Sequence, residues 1–403
     1  MRLAMSTALR LGLLYGLTFA ALGTAIPYLP VLFRQHGLSG AEIGAVLAAP
    51  MLARLLLGPL IALWADHFQR RRTPAAILLG LAAAAFVVTG FVDSFWGLLV
   101  AAFVWGTAQP AAVPLIDIMT LRRARREGFD YGWPRGLGST GYIAANLAWG
   151  ALLVPLGAGL VPWGAAASLL AAAAVALWLV PGEPVHAARE PTAPRFSGVG
   201  ELLGNRPYLL AIGAVGLAQA SHGFYYGFST LVWTGGGVPT SVVGLLWGLG
   251  VAVEVAFFWF AGGWRARLGP ERLLLLGCGA GVVRWTALAF TPSLPWLLPL
   301  QALHALTFAA TFTGSLLLIE RLTPARHASL AQAFSAAVTS ALMGAATLAS
   351  GPLFDRFGAG GYLAMASASG AGLLLALWVR PTASAAAPQP QSAGVGGSTT
   401  EPM

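Results

Sequence analysis

Long apolar stretches alternate with short charged or Pro- and Gly-rich turns along most of this chain. At roughly 20 residues, such a stretch is long enough for a helix that crosses a bilayer. The alternation predicts twelve transmembrane helices, at residues 9–33, 41–64, 74–92, 95–117, 136–155, 162–180, 207–231, 241–263, 272–290, 294–319, 327–351 and 361–379. The first stretch continues through Tyr28 to Phe33, so we expect an uncleaved helix and not a signal peptide.

The longest polar interruption, residues 181–206, divides the chain into two similar halves. Each half has a Gly-containing helix end followed by a basic turn after its second stretch, near residues 58–72 and 262–267. This repeat predicts two pseudo-symmetric six-helix bundles, residues 1–180 and 207–380, joined by a cytoplasmic linker. Residues 381–403 are poor in large apolar side chains, so we expect a disordered tail.

Composition agrees with a protein that lipid solvates. The chain is 57% hydrophobic and 9% charged, which a soluble domain cannot accommodate without large exposed apolar patches. The net charge is +9, and all 23 basic residues are arginines. Nineteen of them fall on one predicted side. By the positive-inside rule that side is cytoplasmic and holds both termini. Basicity therefore reports topology, and no nucleic-acid partner is expected.

The chain has a single cysteine, Cys278, which excludes an intrachain disulfide and a cysteine metal cluster. We expect no metal and no cofactor. The expected partners are a small-molecule substrate, protons and the lipid bilayer, and we expect a monomer in a bacterial cytoplasmic (inner) membrane.

Three consecutive predicted helices of the second half carry ionisable groups: Glu254, Arg284 and His304, the last one turn from Gln301. A charge at the bilayer centre costs about 2.5 to 3.5 kcal/mol, so each group needs a partner, water or a proton. A carboxylate near an arginine that can release it is a candidate proton-coupling site. The alternatives are a fixed Glu254–Arg284 ion pair and, for His304, a hydrogen bond between helices.

In the first half, Asp117 ends the fourth predicted helix and Arg135 opens the fifth. They are candidates for holding a polar or anionic solute in a cavity, with a cytoplasmic-end salt bridge as the alternative. Arg54, midway along the second helix, either acts on an anionic solute or pairs with Asp117. Gln301 is a further candidate for substrate binding.

Polar and aromatic groups also mark the seventh and eighth helices. His222 is a candidate substrate residue, with an interhelical hydrogen bond as the alternative. Trp247 lies seven residues before Glu254 and so on the same helix face. After the second helix, Asp66 with Arg70 and Arg71 fits a cytoplasmic charge latch, although an ordinary positive-inside turn also explains the arginines.

The chain resembles the major facilitator superfamily over about residues 9 to 380, in the branch that contains the 3-phenylpropionate permease and, more distantly, the lactose permease. The segments that carry the resemblance are Pro114-Leu115-Ile116-Asp117, residues 131–142, residues 244–254, Arg284-Trp285 and Gln301-Ala302-Leu303-His304. The resemblance implies that Asp117 and Arg135 bind substrate, because the lactose permease has an acid and an arginine at that spacing.

Two positions differ from the lactose permease. Tyr142 stands where that permease stacks sugar on a tryptophan, which argues against a galactoside. Glu254, Arg284 and His304 match groups that take part there in substrate binding and proton coupling. Thr307 replaces a second glutamate, so the resemblance leaves the proton route to Glu254.

These patterns predict a secondary transporter that works by alternating access, as a proton-coupled symporter of a small organic solute. An aromatic carboxylate is favoured because Arg135, Arg284 and Arg54 offer positive charge among aromatic side chains; sugars and nucleosides stay open. The alternative is a proton-coupled exporter of drugs or metabolites, which uses the same fold in the opposite direction. A membrane-embedded enzyme is a remote alternative, because the sequence has no clustered acid or histidine motif.

Overall fold

A computed structural model describes residues 5–182 and 198–379, and every regular element in these ranges is a helix. The first half contains α1 (Thr7–Ala25), α2 (Leu29–Gln35), α3 (Gly40–Ala65), α4 (Arg72–Thr89), α5 (Phe95–Glu127), α6 (Gly132–Leu156) and α7 (Val161–Ala174). The second contains α8 (Val199–Gly204), α9 (Arg206–Ala220), α10 (Gly223–Gly235), α11 (Thr240–Phe260), α12 (Gly262–Ala289), α13 (Leu294–Ala302), α14 (Thr311–Leu322), α15 (Ala328–Phe357) and α16 (Tyr362–Leu377).

Ten helical stretches of the described residues are long and apolar enough to cross a membrane. One of them, Ala325–Leu377, contains two helices, because Gly358 turns the chain between α15 and α16 with a φ of 54°. Helices α9 (15 residues) and α10 (13 residues) are each too short to cross a membrane alone, and a turn at Ser221 and His222 separates them. Counting Ala325–Leu377 as two crossings and α9 with α10 as one would give the twelve that the sequence predicts.

Several predicted boundaries are wrong. The fourth helix does not end at Asp117 but continues to Glu127, where Gly128 ends it in the left-handed conformation (φ 74°). The ninth predicted helix, 272–290, corresponds to the part of α12 that follows a break at Gly269 (φ 76°), whereas residues 262–268 form a separate helical segment in the turn predicted there. The short helix α8 lies inside the predicted linker, whose residues 183–197 are outside the described ranges, as is the predicted disordered tail.

Small residues set the packing inside the first half. A Cβ added to Gly141 on α6 would lie 2.3 Å from the carbonyl oxygen of Gly16 on α1, so these two backbones touch. In lipid, the hydrophobic effect does not drive helices together, because lipid tails are as apolar as the side chains. Helices associate there through close packing, which small residues permit. The outward surface is correspondingly apolar, with Trp178 80% and Phe260 82% exposed. Cys278 is fully buried on α12.

The two halves touch closely at the end where α3 begins and α15 ends. The Asp355 carboxylate accepts hydrogen bonds from the backbone N–H groups of Gly40 (2.8 Å) and Ala41 (2.9 Å) across the halves. A Cβ added to Gly351 would lie 2.4 Å from the Gly40 carbonyl oxygen, and one added to Gly244 would lie 2.3 Å from that of Asn146. The positive-inside rule assigns this closed end to the outside.

Candidate functional site

A cavity lies between the halves, and its central lobe has a volume of about 380 Å³. Side chains from both halves line the central lobe, among them Arg135, Ser139, Tyr142, Trp247, Glu254 and His304. The structure therefore brings five of the predicted site residues into one space: Arg135, Tyr142, Trp247, Glu254 and His304. Its volume lies within the range of small-molecule sites, about 300 to 1,000 Å³.

Arg284 is fully buried beside the central lobe and is held by neutral groups. Its guanidinium donates to Gln301 Oε1 (3.0 Å), Thr307 Oγ1 (3.0 Å) and His304 Nδ1 (3.1 Å). It also lies over the Tyr225 ring, 4.8 Å from the centroid. These contacts partly replace the water that a buried cation loses, but they supply no negative charge.

The predicted Glu254–Arg284 ion pair is not formed: no carboxylate of the described residues pairs with Arg284. His304 lies between the two groups instead. Because a guanidinium can only donate, His304 Nδ1 must accept, which puts the imidazole proton on Nε2. That nitrogen faces Glu254 Oε2 at 3.5 Å. The three predicted groups form a chain, Arg284 to His304 to Glu254, with only Glu254 as acid.

His222 does not line the central lobe; it contacts Thr307, a hydrogen-bond partner of Arg284. Its Nδ1 lies 3.1 Å from the Gln219 carbonyl oxygen and its Nε2 3.2 Å from Thr307 Oγ1, and the residue is fully buried. The carbonyl can only accept, so Nδ1 donates and Nε2 accepts from the Thr307 hydroxyl. The alternative, a hydrogen bond between helices, is observed in this conformation, and the role of His222 as a substrate ligand stays a prediction.

In the part of the chain that the structure describes, Asp117 and Arg135 both contact Tyr15 but form no ion pair with each other. The Asp117 carboxylate accepts hydrogen bonds from the hydroxyls of Tyr15 and, at 2.9 Å, Tyr131. The Arg135 guanidinium lies over the Phe19 ring at 4.4 Å from its centroid and lines the central lobe. The expected cavity pair is thus divided: Arg135 faces the cavity, and Asp117 is held by two tyrosines.

Arg54 does not pair with Asp117, which corrects the second alternative for this residue. It lines two further lobes between the halves, with volumes of about 420 and 320 Å³, and a third lobe of about 470 Å³ whose walls come only from the first half. Its Nε is buried and has no hydrogen-bond partner in the structure. Arg54 thus faces the cavity with no carboxylate of the described residues paired to it.

The predicted latch residues act within one half. Asp66 Oδ1 lies 3.3 Å from an Arg71 nitrogen in the same turn, and the Asp66 side chain is 61% exposed. Arg70 Cδ lies 3.0 Å from the place of a Cβ added to Gly182, at the start of the linker that follows the first half. The contacts match an ordinary basic turn, and a latch between the halves is not seen among the described residues in this conformation.

Sequence reasoning missed Tyr15, Phe19, Tyr225 and Tyr226 as site residues. Tyr15 reaches Asp117 across 102 positions of sequence, and Tyr225 donates to Gln301 Oε1 at 2.9 Å. Tyr226 lines the central lobe and two of its neighbours. Adjacent tyrosines near a histidine were visible in the sequence, but which ring faces the cavity depends on the break between α9 and α10.

The family model described as MFS_1 like family matches residues 8–363. The probable 3-phenylpropionic acid transporter of Escherichia coli is 28% identical over 382 residues, covering 92% of this chain and 96% of that protein. The maltose permease of Geobacillus stearothermophilus is 32% identical over 354 residues, covering 86% and 87%. A crystal structure of a mutant nucleoside transporter NupG has the same fold, with a TM-score of 0.82 at 17% identity, covering 92% of this chain and 98% of that one.

Proposed function

This chain belongs to the MFS_1 like family, and from that premise we propose that it is a proton-coupled symporter of a small aromatic carboxylate. As a member of the major facilitator superfamily, it is a membrane transporter of small solutes and not an enzyme. The proposal adds the driving ion, the direction and the substrate class to that family membership.

The position of Glu254 carries the proposal. Its carboxylate lines the central lobe, is 21% exposed and has a histidine as neighbour, with no arginine paired to it among the described residues. A carboxylate in an apolar span without a fixed cation is stabilised by taking up a proton. An acid that a water-filled cavity reaches can then load and release that proton as access alternates.

His304 links this acid to the positive charge of Arg284. With Glu254 charged, the polarised Nε2–H group of His304 faces its carboxylate at 3.5 Å, while Nδ1 accepts a hydrogen bond from Arg284. With Glu254 protonated, that attraction is lost and Arg284 needs a different anion nearby. Proton uptake thus favours an anionic substrate in the central lobe, which is the coupling that a symporter needs.

An aromatic acid fits the remaining wall of the central lobe. Arg135 supplies a cation, and Tyr142, Tyr226, Trp247 and Phe308 supply ring faces and edges. Arg135 suits a carboxylate because its planar fork can bind both oxygens. The name of the Escherichia coli relative, a probable transporter of 3-phenylpropionic acid, supports the same class.

Sugar uptake is the second candidate. The maltose permease relative is 32% identical, and Tyr142 and Trp247 offer rings on which a sugar face can stack. A neutral sugar would leave the cavity arginines without a counter-charge, which is why we rank it second.

The test is substrate-dependent proton movement in lightly buffered proteoliposomes. We expect external alkalinisation on adding 3-phenylpropionate but not maltose or a nucleoside, and loss of that signal in Glu254→Gln. Glu320→Gln is the matched control, because Glu320 is exposed and lies outside the lobes described here. Alkalinisation that survived in Glu254→Gln would refute the role of Glu254, and a response only to maltose would establish the sugar reading.

A further inference from the structure

Arg54 lies at a junction of the cavity that the proposed function does not use. It stands midway along α3, in a helix that also contains Pro50 and Pro59. Arg54 lines the lobes of about 420, 320 and 470 Å³, whereas the central lobe is lined by Arg135 and not by Arg54. The two arginines thus serve adjoining but separate spaces.

The surroundings of Arg54 are polar but carry no compensating acid. The 420 Å³ lobe, here called the Arg54 lobe, is lined on the opposite half by neutral hydrogen-bonding side chains: Gln219, Gln332, Ser335, Thr339 and Ser340. The nearest acid lining a shared lobe is Asp66, twelve residues along α3 and hence about 18 Å away along the axis. Asp66 is already paired with Arg71.

This arrangement is what an anion needs. A cation inside a membrane is costly unless it is paired or solvated, and the Nε of Arg54 is buried without a hydrogen-bond partner. Hydroxyl and amide groups facing it can donate to the oxygens of a carboxylate that the guanidinium does not reach. The apolar wall of the lobe, formed by Tyr226, Phe308 and Phe312, is shared with the central lobe, so a ring can rest there.

We propose that the Arg54 lobe is a second binding site for an aromatic carboxylate, occupied in this conformation together with the central lobe. The proposal rests on the substrate class of the proposed function. Each lobe, at about 380 and 420 Å³, lies within the size range of small-ligand sites. The carboxylate binds Arg54 and the ring lies against the wall shared with the central lobe.

The test is equilibrium dialysis of labelled 3-phenylpropionate against the purified full chain. Wild type should bind two equivalents, and Arg54→Gln should weaken one binding event at least tenfold. Arg54→Lys keeps the charge and should keep two equivalents, whereas Arg135→Gln should lose the other event. Ser335→Ala, a milder change in the Arg54 lobe, should weaken the same event as Arg54→Gln by a few-fold, which covers the case in which Arg54→Gln does not fold.

Each outcome decides the matter. One equivalent in wild type, no binding in wild type, or two unchanged equivalents in both Arg54→Gln and Ser335→Ala would overturn the second site. Proton symport is judged separately by the alkalinisation assay. Two equivalents without alkalinisation would support the second site and sink the symport proposal, and one equivalent with Glu254-dependent alkalinisation would do the reverse.

Discussion

At the scale of single residues, Thr307 connects the buried His222 to Arg284. Its hydroxyl accepts from the Arg284 guanidinium at 3.0 Å and donates to His222 Nε2 at 3.2 Å. The hydroxyl therefore satisfies two buried polar groups at once, and no protein group replaces it if it is removed. An unsatisfied buried group costs about 1 to 3 kcal/mol, and more when the group is charged.

Thr307→Val should therefore destabilise the fold while leaving the Glu254 carboxylate in place. The substitution keeps the shape and deletes the hydroxyl, so Arg284 and His222 each lose a partner, at a cost of about 2 kcal/mol or more. Thermal unfolding in detergent should show a lower midpoint than wild type. Thr307→Ser keeps the hydroxyl and should lie much nearer to wild type; equal midpoints for Val and wild type would show that water satisfies both groups.

Tyr15→Phe tests the tyrosine pair that holds Asp117. The change removes one of two hydroxyl donors to the carboxylate, and hydrogen bonds to charged groups contribute about 1.5 to 3 kcal/mol. We expect a lower midpoint of thermal unfolding, with Phe19→Leu as a control that keeps both hydroxyls. A midpoint unchanged in Tyr15→Phe would mean that Tyr131 alone satisfies Asp117.

The candidate site was predictable where the residue type was unusual for its surroundings. Glu254, Arg284, His304 and Arg135 stand out because charged or imidazole groups are costly in apolar stretches. Thr307 does not stand out, because a threonine in a helix can bond to its own backbone carbonyl. The partners of Arg284 could not be predicted either, since spacing along one helix does not show which neighbouring helix a side chain faces.

At the scale of helices, the N-terminus of α3 is capped from the other half of the molecule. Ser39 and Glu42 form a capping box at this end, and Asp355 of α15 accepts from the next two backbone N–H groups. A carboxylate at a helix N-terminus satisfies free donors and complements the helix dipole. Since the cap crosses the halves, it stabilises only the conformation in which this end is closed.

Asp355→Ala should thus weaken the closed end by about 1 kcal/mol, roughly a fivefold change in population. Hydrogen exchange at the Gly40 and Ala41 amides should become faster, because these groups lose their acceptor. Asp355→Asn retains an accepting oxygen and should show a smaller increase. Unchanged exchange in Asp355→Ala would show that the cap does not hold this end.

The short helix α8 docks through an ion pair that acid should break. Glu201 receives two hydrogen bonds from Arg326, each 2.9 Å, and this contact lowers the pKa of the Glu201 carboxyl below its usual value. A lowered pKa in the folded state stabilises docking above the ordinary pKa of a glutamate and is lost as the pH falls through the lowered value. The protection of the residue 199–204 amides from hydrogen exchange, relative to the intrinsic rate at each pH, should therefore be constant near neutrality and fall only in acid, and Glu201→Gln should remove that dependence.

Helix existence was predictable from the sequence, and helix interruptions were less so. The membrane crossings could be predicted because each one needs about 20 consecutive apolar residues, a signal that is long and uniform along the sequence. Two interruptions are not marked by the pattern of apolar residues. One is the break between α9 and α10, and the other is the π-helical segment Ala305–Ala310 that follows His304. Such irregular turns are common at functional sites, and here they lie next to the row of groups formed by Arg284, His304 and Glu254.

At the scale of the whole molecule, glycines make the closed end possible. Gly351 lies against Gly40, and any Cβ at Gly351 would meet the Gly40 carbonyl oxygen at 2.4 Å. A contact this close cannot be relieved by a side-chain rotation, because the opposing atom belongs to the backbone. A larger residue at Gly351 should therefore exclude the closed end while leaving each half folded.

We expect Gly351→Leu to expose the central lobe from the outside. Ser139→Cys lines that lobe and serves as the reporter for a membrane-impermeant thiol reagent added outside. Labelling should rise severalfold in the double variant, and Gly279→Leu, which meets nothing within 4 Å, is the matched control. Equal labelling in both variants would show that the helices adjust around the added side chain.

The burial of Cys278 gives this carrier an experimental advantage. The sequence contains no other thiol, and this one is 0% exposed on α12. Two cysteines introduced at one rim, one in each half, would thus be the sole reactive pair, without first engineering a cysteine-free background. The distribution of distances between spin labels on such a pair would give the fraction of molecules open at that end of the cavity, as a function of pH and solute.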